Sequence, residues 1–180
     1  MTHPILFTER LLLRRPAARD LDAWAAFCAD PVAMAHLNGP MPRSLAWRDL
    51  CLRGGAWDIA GFSMFSVIER ATGRWVGRIG PWQPDGWPGS EVGWGVAGEF
   101  AGRGYAYEAS VAAMDYAVDV LGWETVIHTI APENERSWKL AQRLGSANRG
   151  PVTLPAPLAH LRVDAWGQTA GQWRAHRDQR

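Results

Sequence analysis

Charge of a single sign is what this sequence most conspicuously lacks. Lys and Arg number 19 and Asp and Glu 18, for a net charge of +1, so there is no electrostatic case for a nucleic acid or an anionic membrane surface as partner. Cysteine is scarcer. Cys28 and Cys51 are the only two, with no Cys-x-x-Cys pair, and both read as reduced core thiols rather than metal ligands or a disulfide. The five histidines, at 3, 36, 128, 160 and 176, form no metal-ligand spacing, so no metal is expected. His128 falls inside a strand pattern and reads as a satisfied core histidine. No apolar run approaches the roughly 20 residues of a bilayer span. The opening MTHPILFTER lacks a secretory leader's basic start and long apolar centre, and the expected location is cytoplasmic. Neither an internal repeat nor a linker divides the chain, so residues 1–180 are expected to form a single domain, as a monomer or a homodimer.

Tryptophan is abundant, with eleven copies. Most should be core, because aromatic side chains bury large areas. Trp82 and Trp87 stand apart, since the Pro/Gly-rich stretch from Pro81 to Gly89 has loop chemistry. An indole on a loop either covers a core edge or lines a site, which makes these two candidates for binding a substrate.

The sequence around Glu91 to Ala109, EVGWGVAGEFAGRGYAYEA, organises the rest. Val92, Trp94 and Val96 alternate with Glu91, Gly93 and Gly95, the period of a strand. From Tyr105 onward Ala109, Ala112, Ala113, Tyr116 and Val120 recur at helical spacing to about residue 121, where Gly122 ends the helix. The glycine turn between them therefore lies at a helix N-terminus. Gly102 and Gly104 remove side chains that would hold a ligand off the backbone. The first-turn amides and the helix dipole favour an anion such as a pyrophosphate. A dinucleotide fingerprint would need a third glycine where Tyr107 stands.

The remaining elements follow from the same signals. Residues 7–14 read as the first strand. Asp20 starts a helix carrying Leu21, Trp24, Phe27 and Cys28, and Ser44 a second helix that Gly54-Gly55 weakens or ends. Strands are expected at 62–69 and 74–80, joined by the turn at Ala71-Thr72-Gly73, then at 91–96, 125–131, 148–154 and 161–166. A helix from Asn134 to Leu144 is closed by Gly145, and a short one covers 169–176. Helices interspersed among antiparallel strands, with one strand-helix-strand unit at the centre, give an α+β, mixed α/β sandwich.

Two segments taken together resemble the GNAT acetyltransferase superfamily, and more narrowly its RimJ/RimL-like branch. Ala101-x-x-Gly104-x-Ala106 is similar to the acetyl-CoA pyrophosphate loop, with Ala101 where Gln or Arg is usual. Ala131-Pro132-Glu133-Asn134-Glu135-Arg136-Ser137 through Leu144-Gly145 is similar to the family's later strand-to-helix motif, with Ser146 in place of the usual aromatic residue. Thr8-Glu9-Arg10-Leu11-Leu12-Leu13-Arg14 looks like the branch's opening strand. The resemblance covers roughly residues 7–167. It implies that the fourth and fifth strands of this count splay apart and that the pantetheine arm of acetyl-CoA threads the gap.

Acetyl transfer to an amine needs a base, a stabiliser for the carbonyl oxygen and an acid for the leaving thiolate. Glu91, at the strand start near the expected thioester, is the candidate base, with Glu69 and Asp58 as fallbacks. The resemblance implies Ser137 as the group at the sulfur, because Ala141 stands where many relatives have tyrosine. It places the cosubstrate along Trp94, Gly95 and Val96, at Gly102, Arg103, Gly104, Tyr105 and Ala106, and beside Asn134, Ser137 and Lys139, with Arg143 one turn further on. The expected function is an N-acetyltransferase that moves acetyl from acetyl-CoA directly to a primary amine, a protein N-terminus or a small molecule, in a ternary complex without metal. A non-catalytic acyl-CoA-binding module and a nucleotide-binding protein with the same turn are the alternatives.

Overall fold

The computed structural model describes residues 3–179. One sheet runs in the order β1-β2-β3-β4-β5-β6-β8-β7. Its strands are β1 Leu6–Phe7, β2 Leu11–Arg14, β3 Phe65–Glu69, β4 Trp75–Trp82, β5 Glu91–Val96, β6 Thr125–Ile130, β7 Ala147–Val152 and β8 Val163–Thr169. The α-helices are α1 Leu21–Ala29, α2 Pro31–Met34, α3 Arg43–Ile59, α4 Tyr105–Asp115, α5 Glu135–Arg143 and α6 Ala170–Arg177. Every strand pair is antiparallel except β5–β6, which α4 connects as a crossover. This is the mixed sandwich that the order of elements implies.

The sheet has a different helix layer on each face. On one side α4 lays the fully buried Ala109 and Ala113 against Phe65, Val76, Ile79 and Val92; alanines at that spacing let the helix approach closely. On the other, α1 and α3 enclose Trp24, Phe27, Cys28, Leu50 and Trp75.

Three local departures from the sequence expectation have physical causes. The first strand is broken, because the Thr8 hydroxyl accepts the Leu11 amide at 2.9 Å, a side-chain bond that competes with the ladder. Glu108 of α4 then takes Thr8 Oγ1, the Arg10 amide and Arg10 Nε at 2.5, 2.8 and 2.7 Å. The expected fourth and fifth strands are accordingly β5 and β6. Second, α3 begins at Arg43 and runs through Gly54-Gly55 to Ile59. Two glycines cost a helix about 1 kcal/mol each, and burial of Leu50 and Trp57 on either side offsets that. Third, Cys28 is fully buried, and burial pushes its thiol up to about 11, whereas Cys51 lies exposed on α3 and is no core thiol.

Candidate active site

The centre of the sheet is where β5 and β6 part. Their parallel register holds a single pair, Glu91 with Ile127, and the Ile127 amide donates to Ser90 O at 2.9 Å. Main-chain groups alternate in direction along a strand. Ser90, Val92, Trp94 and Val96 therefore present theirs toward β6, and past Val92 there is no partner strand to meet them. Side chains close the neck of the gap instead. His128 reaches back to Val92 O at 2.7 Å. Since a carbonyl only accepts, Nδ1 carries the proton; Nε2 then accepts from Ser146 Oγ at 3.0 Å, which in turn accepts from Gln168 Nε2 at 2.9 Å. His128 is the satisfied core histidine expected of it, and burial pushes it down to about 4. Ser146, at the position where the family usually carries an aromatic residue, completes this chain.

Glu91 sits at the neck. Its Oε2 accepts from Trp87 Nε1 at 2.5 Å, Oε1 accepts the Thr129 amide at 3.1 Å, and Thr129 Oγ1 lies 3.0 Å from both oxygens. A carboxylate offers roughly four acceptor positions, so three donors leave about one open. Burial raises the Glu91 pKa against these hydrogen bonds, all of which favour the ionised form. Trp87 is thus a partner of Glu91, and Thr129 is a functional candidate that sequence reasoning missed. Nothing local marks Thr129, which is 38 residues away in the chain.

The glycine turn has the geometry expected of it. Gly102 and Gly104 hold φ of +76° and +81°, and Gly104 is the N-cap of α4 in the left-handed region. A Cβ at Gly102 would meet nothing within 4 Å, and one at Gly104 only Arg10 Nη2 at 3.4 Å. The turn is therefore open on its ligand side, while Arg10, just before β2, donates from Nη1 to Arg103 O at 3.0 Å and braces it. Tyr105 turns inward and donates to Glu69 at 2.5 Å; as the first residue of α4 its amide has no intrahelical acceptor. An open helix N-terminus beside a strand gap suits a pyrophosphate with an extended arm.

On α5, Asn134 is the N-cap, its side chain accepting the Ser137 amide at 3.2 Å. The Ser137 hydroxyl is therefore spared that task. It accepts from Trp94 Nε1 at 3.2 Å across the gap, which leaves its own proton to donate. Lys139 is paired with Glu135 on its own helix at 2.6 Å. Arg143 instead reaches α4, its guanidinium 3.8 Å from the centre of the Tyr107 ring, which makes it, rather than Lys139, the α5 cation brought toward the first turn of α4.

Other sequence candidates separate from this cluster. Trp82 is not on a loop: β4 runs through Gly80-Pro81 to include it opposite Glu91. It is buried with Arg53 stacked 4.2 Å from its ring. Glu69 lies at the Tyr105 end of the sheet, and Asp58 is tied to Arg15 at 2.5 Å on the surface, so neither fallback base stands at the gap. Among the described residues no cluster could hold a metal, and no helix is long and apolar enough to cross a membrane. A cavity of about 330 Å³ opens beside the end of β6, lined by His36, Asn38, Ala131, Glu133, Leu161 and Arg162 among others.

Comparison with known proteins accords with this geometry. The acetyltransferase (GNAT) domain matches residues 10–147. An uncharacterized N-acetyltransferase, p20, of Bacillus licheniformis is 28% identical over 81% of this chain and 83% of its own. The crystal structure of an acetyltransferase from Agrobacterium tumefaciens str. C58 superposes with a TM-score of 0.82 at 30% identity, over 93% of this chain and 95% of that one. A spermidine N-acetyltransferase from Vibrio cholerae, solved with CoA and spermine, shares the fold at 16% identity, with a TM-score of 0.75 over 93% and 99% of the two chains. The chain belongs to the GNAT acetyltransferase family.

Proposed function

We propose that this GNAT acetyltransferase is an N-acetyltransferase that transfers acetyl from acetyl-CoA directly to a primary amine held with it in a ternary complex. The observation that carries the reading is the coincidence of two features: a strand pair that parts after one register position and a glycine-capped helix N-terminus at the far end of the same strand. The α4 amides and Arg143 receive the pyrophosphate end. The main-chain groups of Trp94 and Val96 hydrogen-bond the pantetheine arm as a neighbouring strand would, and a donor among them faces the thioester carbonyl. Acetyl-CoA supplies the activated acyl group; the remaining chemistry is proton traffic.

Glu91 takes the amine proton through its remaining acceptor position, directly or by one water, and its burial moves its pKa toward the range in which a base is useful. The amine nitrogen attacks the thioester carbonyl, and the C–S bond breaks as the amide forms. Ser137, accepting from Trp94, donates a hydrogen bond to the departing thiolate, which takes its proton from solvent or from protonated Glu91. Cys28 is fully buried with its thiol pushed up to about 11, and Cys51 is exposed on α3, so neither stands as a ready nucleophile for an acetyl-enzyme. The test is thiol release from acetyl-CoA across a panel of amines that includes N-terminal peptides, amino acids and polyamines. Amine-dependent release with intersecting initial-rate lines supports the reading. CoA binding without release on any amine would leave only an acyl-CoA-binding module.

A further inference from the structure

On the face of β4 and β5 covered by α1 and α3, two arginines are buried against one aspartate. Arg53 Nε donates to Asp49 Oδ1 at 3.1 Å, and Arg78 Nε lies 3.9 Å from Asp49 Oδ2, which Trp24 Nε1 already occupies at 3.0 Å. Arg78 is 6% exposed, and its Nε makes no hydrogen bond. The outer nitrogens of both guanidinium groups converge on one atom that bonds them poorly: Met64 Sδ, 3.3 Å from Arg53 Nη1 and 3.4 Å from Arg78 Nη1. A thioether is a weak acceptor, whereas an oxyanion between two guanidinium groups forms short, charge-assisted bonds. Stacking on Trp82 and the rings of Trp24 and Phe27 near Arg78 hold the pair in place.

The position of Met64 gives this arrangement a use. A Cβ built on Gly93 would lie 2.6 Å from the Met64 methyl and 3.3 Å from Glu91 Oε1. The methionine tip and the proposed base therefore share the space over one glycine, next to the parting of β5 and β6. Gly80, directly opposite Gly93 on β4, packs instead against the Phe65 ring and the Met64 backbone. Methionine is the unbranched, flexible side chain best able to vacate such a volume.

We propose that Met64 is a displaceable plug in the acceptor site, and that the acceptor is an amine bearing a carboxylate close to its nitrogen, as in an α-amino acid. The carboxylate takes the place of the sulfur between Arg53 and Arg78, and this sets the amine beside Glu91. A polycation or an uncharged amine would leave both guanidinium groups on the thioether and gain nothing from them. The proposal rests on the transferase reading above.

The experiment compares α-amino acids with their primary amides as acceptors, by thiol release at saturating acetyl-CoA, in the wild-type protein and in Arg78→Met and Met64→Ala. The wild type is expected to favour the acid over its amide by at least about tenfold in kcat/KM, the worth of one charge-assisted contact. Arg78→Met should erase that preference through KM, with CoA affinity kept as the sign of an intact fold. Met64→Ala should lower KM for the acid and leave that for the amide unchanged. If Arg78→Met does not fold, the acid-to-amide ratio and the Met64→Ala result still decide. Equal use of acid and amide by the wild type overturns the carboxylate proposal and leaves the transferase standing. A preference that survives Arg78→Met in a folded protein overturns it too. Absence of thiol release with every amine, CoA binding being intact, overturns both.

Discussion

Lowering the pH should loosen this protein through one residue, His128. Its ring is fully buried, Nδ1 must donate to Val92 O, and Nε2 must accept from Ser146. A second ring proton would put a charge in the core, and that burial is why the folded pKa falls to about 4 from a usual 6.5. The sign follows directly. Between those two values the unfolded chain binds the proton and the folded chain refuses it, so stability falls as pH falls from 6.5 toward 4. The full difference of about 2.5 pKa units corresponds to about 3 kcal/mol, of which about 2 kcal/mol is gone by pH 5. With a urea slope of about 2 kcal/mol/M, that shifts the midpoint by about 1 M. The assay is urea unfolding at pH 7.5 and pH 5 in the wild type and in His128→Asn, whose amide can keep the donor to Val92 O but does not titrate. Glu91, whose raised pKa works in the opposite direction, is common to both proteins and cancels in the comparison. The wild type is expected to lose about 2 kcal/mol more than the variant. An equal loss in both, or an imidazole that titrates near 6.5 in the folded protein by NMR, would refute the reasoning.

Four further outcomes are expected. Gly104→Val forces a β-branched residue to +81°, a conformation that costs an L residue about 1–2 kcal/mol, and should weaken CoA binding at least about tenfold by titration calorimetry; parental affinity would put the pyrophosphate elsewhere. Ser137→Ala should lower kcat by about 100-fold, a usual size for a lost hydrogen-bond donor to developing negative charge, with CoA affinity kept; an unchanged kcat would remove Ser137 from the chemistry. Trp87→Phe removes a hydrogen bond that favours ionised Glu91, so the acid limb of the kcat/KM profile should move to higher pH, and a limb that stays put counts against Glu91 as base. Trp82→Ala, which empties a buried position under Arg53, should destabilise by about 3–5 kcal/mol and not merely raise an acceptor KM; a stability loss below 1 kcal/mol would be inconsistent with its packing.

The stretch from Glu91 to Ala109 could be read from the sequence because its signals are local. Alternation sets the limits of β5, glycine supplies the left-handed residues, and an apolar stripe marks α4. Asn134 and Gly145 were legible as caps for the same reason. Trp82 was misplaced because Gly80 and Pro81 have loop chemistry, whereas here they continue a strand, with the Phe65 ring against Gly80 and Pro81 opposite Val92. Thr129 at Glu91, and Met64 between Arg53 and Arg78, carry no local signature. They meet only once α3, β4, β5 and β6 are assembled, and a buried arginine inside α3 looks in sequence like any solvated one. Lys139 and Arg143 share a helical spacing, and only the fold distinguishes the one that reaches Tyr107.

The single register pair between β5 and β6 also bears on how the molecule comes apart. The main-chain ladder that runs from β1 to β5 and the one that joins β6, β7 and β8 share a single rung, and beyond it they are held together by side chains: the His128 and Thr129 links and a core to which Val126, Leu144 and Trp173 contribute. Their opening should therefore be only partly cooperative without a ligand, and amide exchange should resolve the two as distinct units. A molecule lying along the exposed edge of β5 bridges them and should slow exchange most at Trp94 and Val96, beyond the protection that affinity alone confers. In that sense the substrate completes the architecture, and the apparent rigidity of the protein would track the supply of acyl donor around it.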